Sequence, residues 1–521
     1  MTATTTGEVF TRRWVVDLML DLAGYTGDVS RQRVVEPSIG NGAFIGPIVE
    51  RLAASGAPWE SLHPALRGYD LRPEHVRASK ALARSVLVSA GCPIADQLVD
   101  SWLHTGDFLL VDVPEADLVV GNPPYIRADN LDPALLATYR HLCPTMSRRA
   151  DIFVGFFERG LDLLRPEGRL VYICADRWMR NGYGRDLRAK VVRGFAVDDV
   201  LVMHDVDAFA DKVAAYPAVI SLRRGQQGPV TVGSASPGFS GAAARDYLDW
   251  RATSTQGYSN DDIACARMDH WHTTSSVWPD GTPSELAWLA QLDRLPLVEQ
   301  AGVTIGIGIA TGADRVYIRR QADVEPDRLV PMVTPGAVRG ATFHWTGEHL
   351  ISPWQGRSLV DITQYPRLLS YYLAHGEQLR GRSVAQRSPQ WWRTIDSFNP
   401  SLLERDLLVM QDMKLHAHPV RVPAGHYPHH GLTWFASDEW DLDVLGGLLL
   451  SEPVERQVAA HCVRMRGGTL RFQLTVLRMV RLPKPGDVPP PLAAKLAQAF
   501  RDHDRGSASR AAWELYPSLD A

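Results

Sequence analysis

The sequence predicts an α/β fold, with a doubly wound sheet over residues 1–240 and a second, mixed α+β unit over residues 241–521. Three observations carry that expectation. Short β-branched and apolar runs alternate with helical stretches from about residue 30 to about residue 224, the pattern of strands joined by crossover helices. The first of these runs enters a loop with glycines at alternate positions, Gly40 and Gly42. From Gly225 to about Gly241 the chain becomes rich in Gly, Ser and Pro, which reads as a linker or a loop crossing between the two units.

The elements follow in order. Arg33-Val34-Val35-Glu36-Pro37-Ser38-Ile39-Gly40-Asn41-Gly42-Ala43-Phe44 reads as a strand, a loop and the start of a helix running to Leu52. Gly40 and Gly42 carry no Cβ, admit positive φ and let backbone approach a nucleotide closely, although a glycine pair also fits an ordinary loop. Leu66-Arg67-Gly68-Tyr69-Asp70 is the next parallel strand. Its terminal Asp70 is placed to accept from two ribose hydroxyls or, in a plainer reading, to cap the helix that begins near Pro73. His104-Thr105-Gly106-Asp107-Phe108 makes a third strand-to-loop crossing. Asp107 there can bind the exocyclic amine of an adenine and Phe108 can cover its face; an acidic turn beside a core Phe is the alternative.

Asp117-Leu118-Val119-Val120-Gly121 is then a buried strand that ends in Asn122-Pro123-Pro124-Tyr125. The prolines lack N–H donors and fix φ, so a backbone carbonyl is left facing outward beside the Asn122 side-chain oxygen. Two acceptors aimed at one point hold one NH2 group, and Tyr125 offers a flat surface on which a base or amide plane stacks. A plain strand-ending Pro-Pro turn is the competing reading.

This order of pieces resembles the class I S-adenosylmethionine-dependent methyltransferases, and within them the gamma-class, TaqI-like N6-adenine DNA methyltransferases of restriction-modification systems. The match covers the first half of the chain closely and the second half loosely. It implies a Rossmann-like class I methyltransferase sheet in which Glu36, Pro37, Gly40 and Gly42 belong to the cofactor loop. Asp70 then binds the ribose, Asp107 and Phe108 hold the cofactor adenine, and Asn122, Pro123 and Tyr125 are catalytic. Gly7-Glu8-Val9-Phe10-Thr11, before the apolar-spaced Val15 to Leu22, resembles the family segment that packs against the methionine part of the cofactor, with Arg12 where the family has Pro. Asp151 to Phe157 resembles the amphipathic helix behind the cofactor, Gly168 to Ile173 the fifth strand, and Asp176-Arg177-Trp178-Met179 the loop after it. In Asp205-Val206-Asp207-Ala208-Phe209, before the strand Ala218 to Leu222, Phe209 is expected as the second aromatic face on the target base, ahead of Tyr216.

The chemistry so implied moves CH3 from a sulfonium to an aromatic amine. Acceptors at Asn122 and the Pro123 carbonyl draw the nitrogen toward tetrahedral geometry, localise its lone pair and stabilise the charge that develops. A duplex hides this amine in a base pair, so the nucleotide must rotate outward, at a cost of a few kcal/mol that stacking at about 1–3 kcal/mol per base can offset.

Of the 521 residues, Lys and Arg total 55 and Asp and Glu 59, a formal net charge of −4, so any DNA-binding charge must be a local patch. The 5 cysteines, Cys92, Cys143, Cys174, Cys265 and Cys462, show no paired spacing for zinc or disulfides and read as reduced thiols. With no apolar run of about 18 residues and no signal peptide, the protein is expected in the cytoplasm, with no membrane contact and no metal.

The second half carries Trp345, Trp354, Trp391, Trp392 and Trp434. Its Val303 to Asp314 stretch resembles the opening of the family's target-recognition domain; a second nucleotide site is the weaker reading, because no phosphate-binding Lys or helix start follows Gly312. Arg380, Arg382, Arg387, Arg393 and Lys414, with Trp391 and Trp392 among them, suit phosphate contacts with some base reading. Gly467 to Phe472 and Leu482 to Pro485 look like the end of that region, and Leu492 to Trp513 has helical spacing as a C-terminal extension. Double-stranded DNA is therefore the expected partner, with any restriction endonuclease a separate chain. The alternatives are a methyltransferase for a protein glutamine amide or for RNA, a non-catalytic DNA-binding subunit, and N4-cytosine chemistry, which more often shows Ser in place of Asn.

Overall fold

The structure is a computed structural model that describes residues 10–147, 150–210, 216–340, 342–462 and 469–518. Gly7, Glu8, Val9, Gly467 and Gly468, read above from the sequence, lie outside the described residues. The chain divides into two compact units, Met1–Ala290 and Gln291–Ala521.

The first unit runs α1 (Arg13–Leu22), β1 (Val34–Glu36), α2 (Ile45–Ala54), β2 (Leu66–Asp70), α3 (Pro73–Ser89), α4 (Ala95–Trp102), β3 (Leu103–Thr105), β4 (Ala116–Gly121), α5 (Pro133–Leu142) and α6 (Phe153–Asp162). It continues through β5 (Leu164–Ala175), α7 (Arg177–Arg180), α8 (Arg185–Gly194), β6 (Phe195–Val202), β7 (Pro217–Arg224), β8 (Val230–Ala235), α9 (Gly241–Arg251), β9 (Gly257–Ser259) and β10 (Ile263–Met268). Its ten strands form one sheet in the order β3-β2-β1-β4-β5-β7-β6-β8-β10-β9. β1 is parallel to both β2 and β4, pairing Val34 with Leu66 on one side and with Leu118 on the other. β7 enters antiparallel between β5 and β6.

Successive strand residues point to opposite faces, and the core follows that alternation. Val34, Leu118, Val120, Val171, Ile173 and Leu201 face α1, α2, α3 and α9 in one apolar cluster. On the other face Val119, Leu170 and Tyr172 lie against Gly160 of α6, where a Cβ would come within 2.7 Å of Leu170 and 2.9 Å of the Tyr172 hydroxyl.

The expected linker is not one. β8 lies inside Gly225–Gly241 and pairs parallel with β6, and α9 closes over the sheet. The first unit thus extends past residue 240 to Ala290. Arg251 of α9 donates from Nε to Asp199 Oδ1 (2.6 Å) and from Nη2 to Asp199 Oδ2 (3.0 Å), and Asp199 in β6 is fully buried. Burial pushes the Asp199 carboxyl up and Arg251 pulls it back. Arg251→Ala leaves that carboxylate buried without its counter-ion, so the first unit is expected to lose about 3–5 kcal/mol in urea unfolding.

The second unit holds a four-stranded sheet ordered Thr304–Ile307, Leu432–Ala436, Leu407–Gln411 and Val420–Val422. A second four-stranded sheet runs Ile318–Arg319, His349–Ile351, Leu329–Val333 and Tyr427–Pro428, and the two share one apolar cluster. The glycines of the 303–314 stretch serve packing: a Cβ on Gly306 would meet the Trp434 ring at 2.4 Å and one on Gly308 the Pro428 carbonyl oxygen at 2.2 Å. The C-terminal segment forms two helices, Pro490–Arg501 and Arg505–Trp513. No helix among the described residues is long and apolar enough to cross a membrane. Cys92, Cys143, Cys174 and Cys265 are buried free thiols, and Cys462 is half-buried.

Candidate active site

Strand order reverses between β1 and β4, so the loops leaving their carboxyl ends part and open a crevice. A cavity of about 210 Å³ lies there. Its wall contains Glu36 at the end of β1, Pro37 and Gly40 after it, Asp70 at the end of β2, Asp107 and Phe108 after β3, Asn122 and Pro124 after β4, and Thr11. Residues far apart in sequence, expected separately to touch cofactor or target, thus border one space.

Gly40 and Gly42 hold φ of +50° and +92°, the left-handed region that the loop required. The Gly40 N–H donates to Asp70 Oδ2 (2.9 Å). Asp70 Oδ1 accepts from the Arg72 N–H (2.9 Å) and lies 3.2 Å from His75 Nδ1. Asp70 is therefore the brace of the glycine crossing, and it does not cap α3, whose N-cap is Arg72. Gly42 is not in the cavity wall; a Cβ there would meet Ser79 Oγ at 3.1 Å, so its absence seats the loop on α3.

Glu36 is 1% exposed, and among the described residues its Oε2 has no hydrogen-bond partner. Burial, reinforced by the Asp70 charge, raises its pKa well above the usual carboxyl range. A buried acceptor bordering a cavity calls for a donor or a cation from the ligand. Asp107 Oδ1 accepts from the Leu109 N–H (2.9 Å) and Oδ2 from the Tyr139 hydroxyl (2.6 Å). Phe108 is 2% exposed and packs against Phe156 with ring centroids 5.3 Å apart.

At the exit of β4 the Asn122 carbonyl accepts from Ser38 Oγ (3.0 Å) and the Asn122 Nδ2 donates to Thr11 Oγ1 (3.3 Å). Pro123 is buried. Tyr125 is half-buried and not in the cavity wall; burial raises its hydroxyl pKa, and among the described residues that hydroxyl has no hydrogen-bond partner. Phe209 is 6% exposed, sits in the apolar core and forms an isolated antiparallel bridge with Thr11. Tyr216 is 52% exposed, with the Arg177 guanidinium 5.5 Å from its ring centroid and the His204 ring at 5.1 Å. His204 Nε2 in turn lies 2.6 Å from Oδ2 of the buried Asp176.

Sequence reasoning missed Leu71, Arg72, His75, Ile126 and Tyr139 as wall residues, whereas Phe10, Ile152 and Phe156 lie in segments it had placed beside the cofactor. Ile126 and Ile152 are joined by the Ile152 N–H to the Ile126 carbonyl (3.0 Å); Ile126 follows the Asn122–Tyr125 corner directly and Ile152 lies within the Asp151–Phe157 segment. Tyr139 reaches in from α5 with no signal in its spacing.

In the second unit Arg382 is committed internally, donating to the Thr311 and Trp391 carbonyls (both 2.8 Å) and to the Tyr317 hydroxyl (3.2 Å). It does not belong to an open basic patch; Arg380, stacked on Trp391 at 4.1 Å, and Arg387 are exposed. Asp314, His429 and His430 form a group with the residue types of a metal site. His429 Nδ1 accepts the Gly431 N–H (3.0 Å), so the ring proton resides on Nε2, which faces Asp314 Oδ2 at 3.1 Å. A metal-bound histidine donates from its other nitrogen, so this group is a hydrogen-bonded dyad. The His429 bond, ahead of the Thr311 hydroxyl, draws the Asp314 pKa down to about 2.

A sheet of this order, with Gly40 of the glycine crossing and Asn122 and Pro124 of the strand-exit corner at one cavity, is the fold of a class I methyltransferase. The Eco57I restriction-modification methylase model matches residues 101–209. The chain is 38% identical to the Type II methyltransferase M.PaeR7I of Pseudomonas aeruginosa, over 98% of this chain and 91% of that protein. It is 36% identical to M.XhoI of Xanthomonas vasicola (98% and 97% covered) and 33% identical to M.BstVI of Geobacillus stearothermophilus (92% and 90%). The chain belongs to the Type II restriction-modification methyltransferases and is a DNA methyltransferase of that family.

Proposed function

We propose that the enzyme transfers a methyl group from S-adenosylmethionine to N6 of an adenine rotated out of duplex DNA. The observation that carries this reading is the shared cavity, bounded on one side by the glycine crossing with its carboxylates and on the other by Asn122 and Pro124. The acceptor set fits the cofactor: a buried Glu36 oxygen, without a hydrogen-bond partner among the described residues, for the ammonium of its amino acid moiety, Asp70 for ribose hydroxyls, and Asp107 with Phe108, Ile126 and Phe156 for a purine. Bound there, the cofactor supplies a methyl group on positively charged sulfur.

The protein's part is to bind, orient and polarise. The Asn122 Oδ1 accepts one amine hydrogen. The Pro123 carbonyl is the proposed backbone acceptor for the other, and the Asn122 carbonyl accepts from Ser38 Oγ. No strong general base is required, since the proton becomes acidic only after methylation. Tyr125 and Phe209 are the proposed faces for the base, with the exposed Tyr216 as the other candidate for the second. Residues 291–521 are read as the target-recognition unit, with Arg380, Arg387 and Lys414 supplying phosphate contacts, and a separately encoded endonuclease completes the system.

Incubation with labelled cofactor and unmethylated duplex DNA, followed by digestion to nucleosides, tests this. N6-methyldeoxyadenosine is the expected product; N4-methyldeoxycytidine, or label confined to RNA or protein, rejects the reading. Tyr125→Ala is expected to lower kcat/KM about 10- to 100-fold through lost stacking, with cofactor affinity unchanged. A matching loss of cofactor binding in equilibrium titration would place Tyr125 in the cofactor pocket instead.

A further inference from the structure

We propose that Thr11 is a positioning residue that sets which way the Asn122 carboxamide faces, an inference that rests on the reading of Asn122 as acceptor for the target amine. A carboxamide is nearly symmetric in shape, and a half-turn about its last torsion exchanges an acceptor for a donor. For catalysis the two ends are opposites: the oxygen draws on the amine hydrogens, whereas an NH2 turned toward them sets donor against donor. Something must hold the nitrogen.

Among the described residues one such partner is Thr11 Oγ1, 3.3 Å from Asn122 Nδ2. Thr11 is 7% exposed and borders the cavity beside Asn122. Its backbone is pinned on both sides: the Arg12 N–H donates to the Ala208 carbonyl (3.0 Å) and the Ala210 N–H to the Phe10 carbonyl (2.9 Å), which makes the Thr11–Phe209 bridge. The β-branched side chain restricts χ1, so a fixed backbone becomes a fixed hydroxyl. An exposed ion pair from Arg12 to Asp207 (2.8 Å) closes the same ladder. Thr11 was expected to contact the cofactor's methionine part; the geometry also gives its hydroxyl oxygen to the Asn122 amide, and through the bridge ties that amide to the segment carrying Phe209. The consequence is one ladder that aligns the acceptor and the second aromatic position together.

Thr11→Val keeps the shape and removes the acceptor, while Thr11→Ser keeps the hydroxyl. For Thr11→Val, kcat is expected to fall about tenfold, the weight of one hydrogen bond, with the dissociation constants for cofactor and for duplex DNA within about twofold of wild type. Thr11→Ser is expected within about threefold of wild-type kcat. In an Asn122→Ala background, Thr11→Val is expected to add nothing. Wild-type kcat in Thr11→Val, or a loss of cofactor affinity equal to the loss of kcat, overturns the positioning role. If Asn122→Ala itself keeps full turnover, the acceptor reading fails first, so the two failures are distinguishable.

Discussion

Asn122→Ala is expected to lower kcat by about 10²–10³-fold or more, the range found when one preorganised electrostatic partner of a transition state is removed. The amine of an adenine is a poor nucleophile because its lone pair is spread into the ring. An acceptor on one amine hydrogen opposes that delocalisation and grows stronger as positive charge builds on nitrogen, so its contribution belongs to the transition state rather than to ground-state binding. Loss should therefore appear in kcat and kcat/KM together, with the cofactor dissociation constant unchanged in equilibrium titration. Asn122→Asp is the sharper variant. It keeps the acceptor oxygen but replaces the NH2 held by Thr11 with a second oxygen, whose only accommodation at Thr11 is to reverse the hydroxyl into a donor. Turnover between that of wild type and Asn122→Ala is expected. Full turnover in Asn122→Ala, measured in a single-turnover assay, rejects the catalytic assignment.

Much of the catalytic unit was legible because its elements carry local signals. Leu66–Asp70 is the strand expected next after the glycine loop, and Gly40 and Gly42 take the positive φ for which glycine was inferred. The misreadings have physical causes. Gly225–Gly241 resembled a linker because Gly and Ser dilute β8, yet Gly233 is there because a Cβ would meet Leu201 at 2.8 Å; the small residue is a demand of sheet packing that mimics flexibility. Arg382 looked like part of a phosphate-binding cluster because spacing reports charge, whereas its hydrogen bonds to the Thr311 and Trp391 carbonyls are tertiary facts. Tyr139 could not be found at all, since α5 brings it to Asp107 from a helix whose pattern is ordinary. Phe209 was recognisable by order, but its burial beside Thr11 depends on a ladder between segments nearly two hundred positions apart.

Asp70→Ala is expected to weaken cofactor binding by about 10²-fold, because hydrogen bonds to a charged group contribute about 1.5–3 kcal/mol each and, on the proposed reading, two ribose hydroxyls lose their acceptor. The carboxylate has capacity for both duties. Its two oxygens offer about four lone-pair sites, and protein donors in the structure approach Oδ1 from Arg72 and His75 and Oδ2 from Gly40. Removal therefore also releases the Gly40 N–H and loosens the crossing that shapes the cavity, which pushes the loss beyond the ribose contacts alone. Asp70→Asn retains one acceptor and no charge and is expected to fall about tenfold short of wild type. A second consequence follows at Glu36, whose raised pKa owes most to burial and the remainder to the Asp70 charge. Neutralising Asp70 lowers the Glu36 pKa, so that side chain ionises at lower pH than in the wild type. Because a cationic ligand favours the ionised form, cofactor affinity in Asp70→Asn should begin its rise with pH earlier than wild-type affinity does. Calorimetric titration with cofactor across a pH series reads both effects. Wild-type cofactor affinity in Asp70→Ala, accompanied by lost turnover, would move Asp70 from the cofactor to the chemical step.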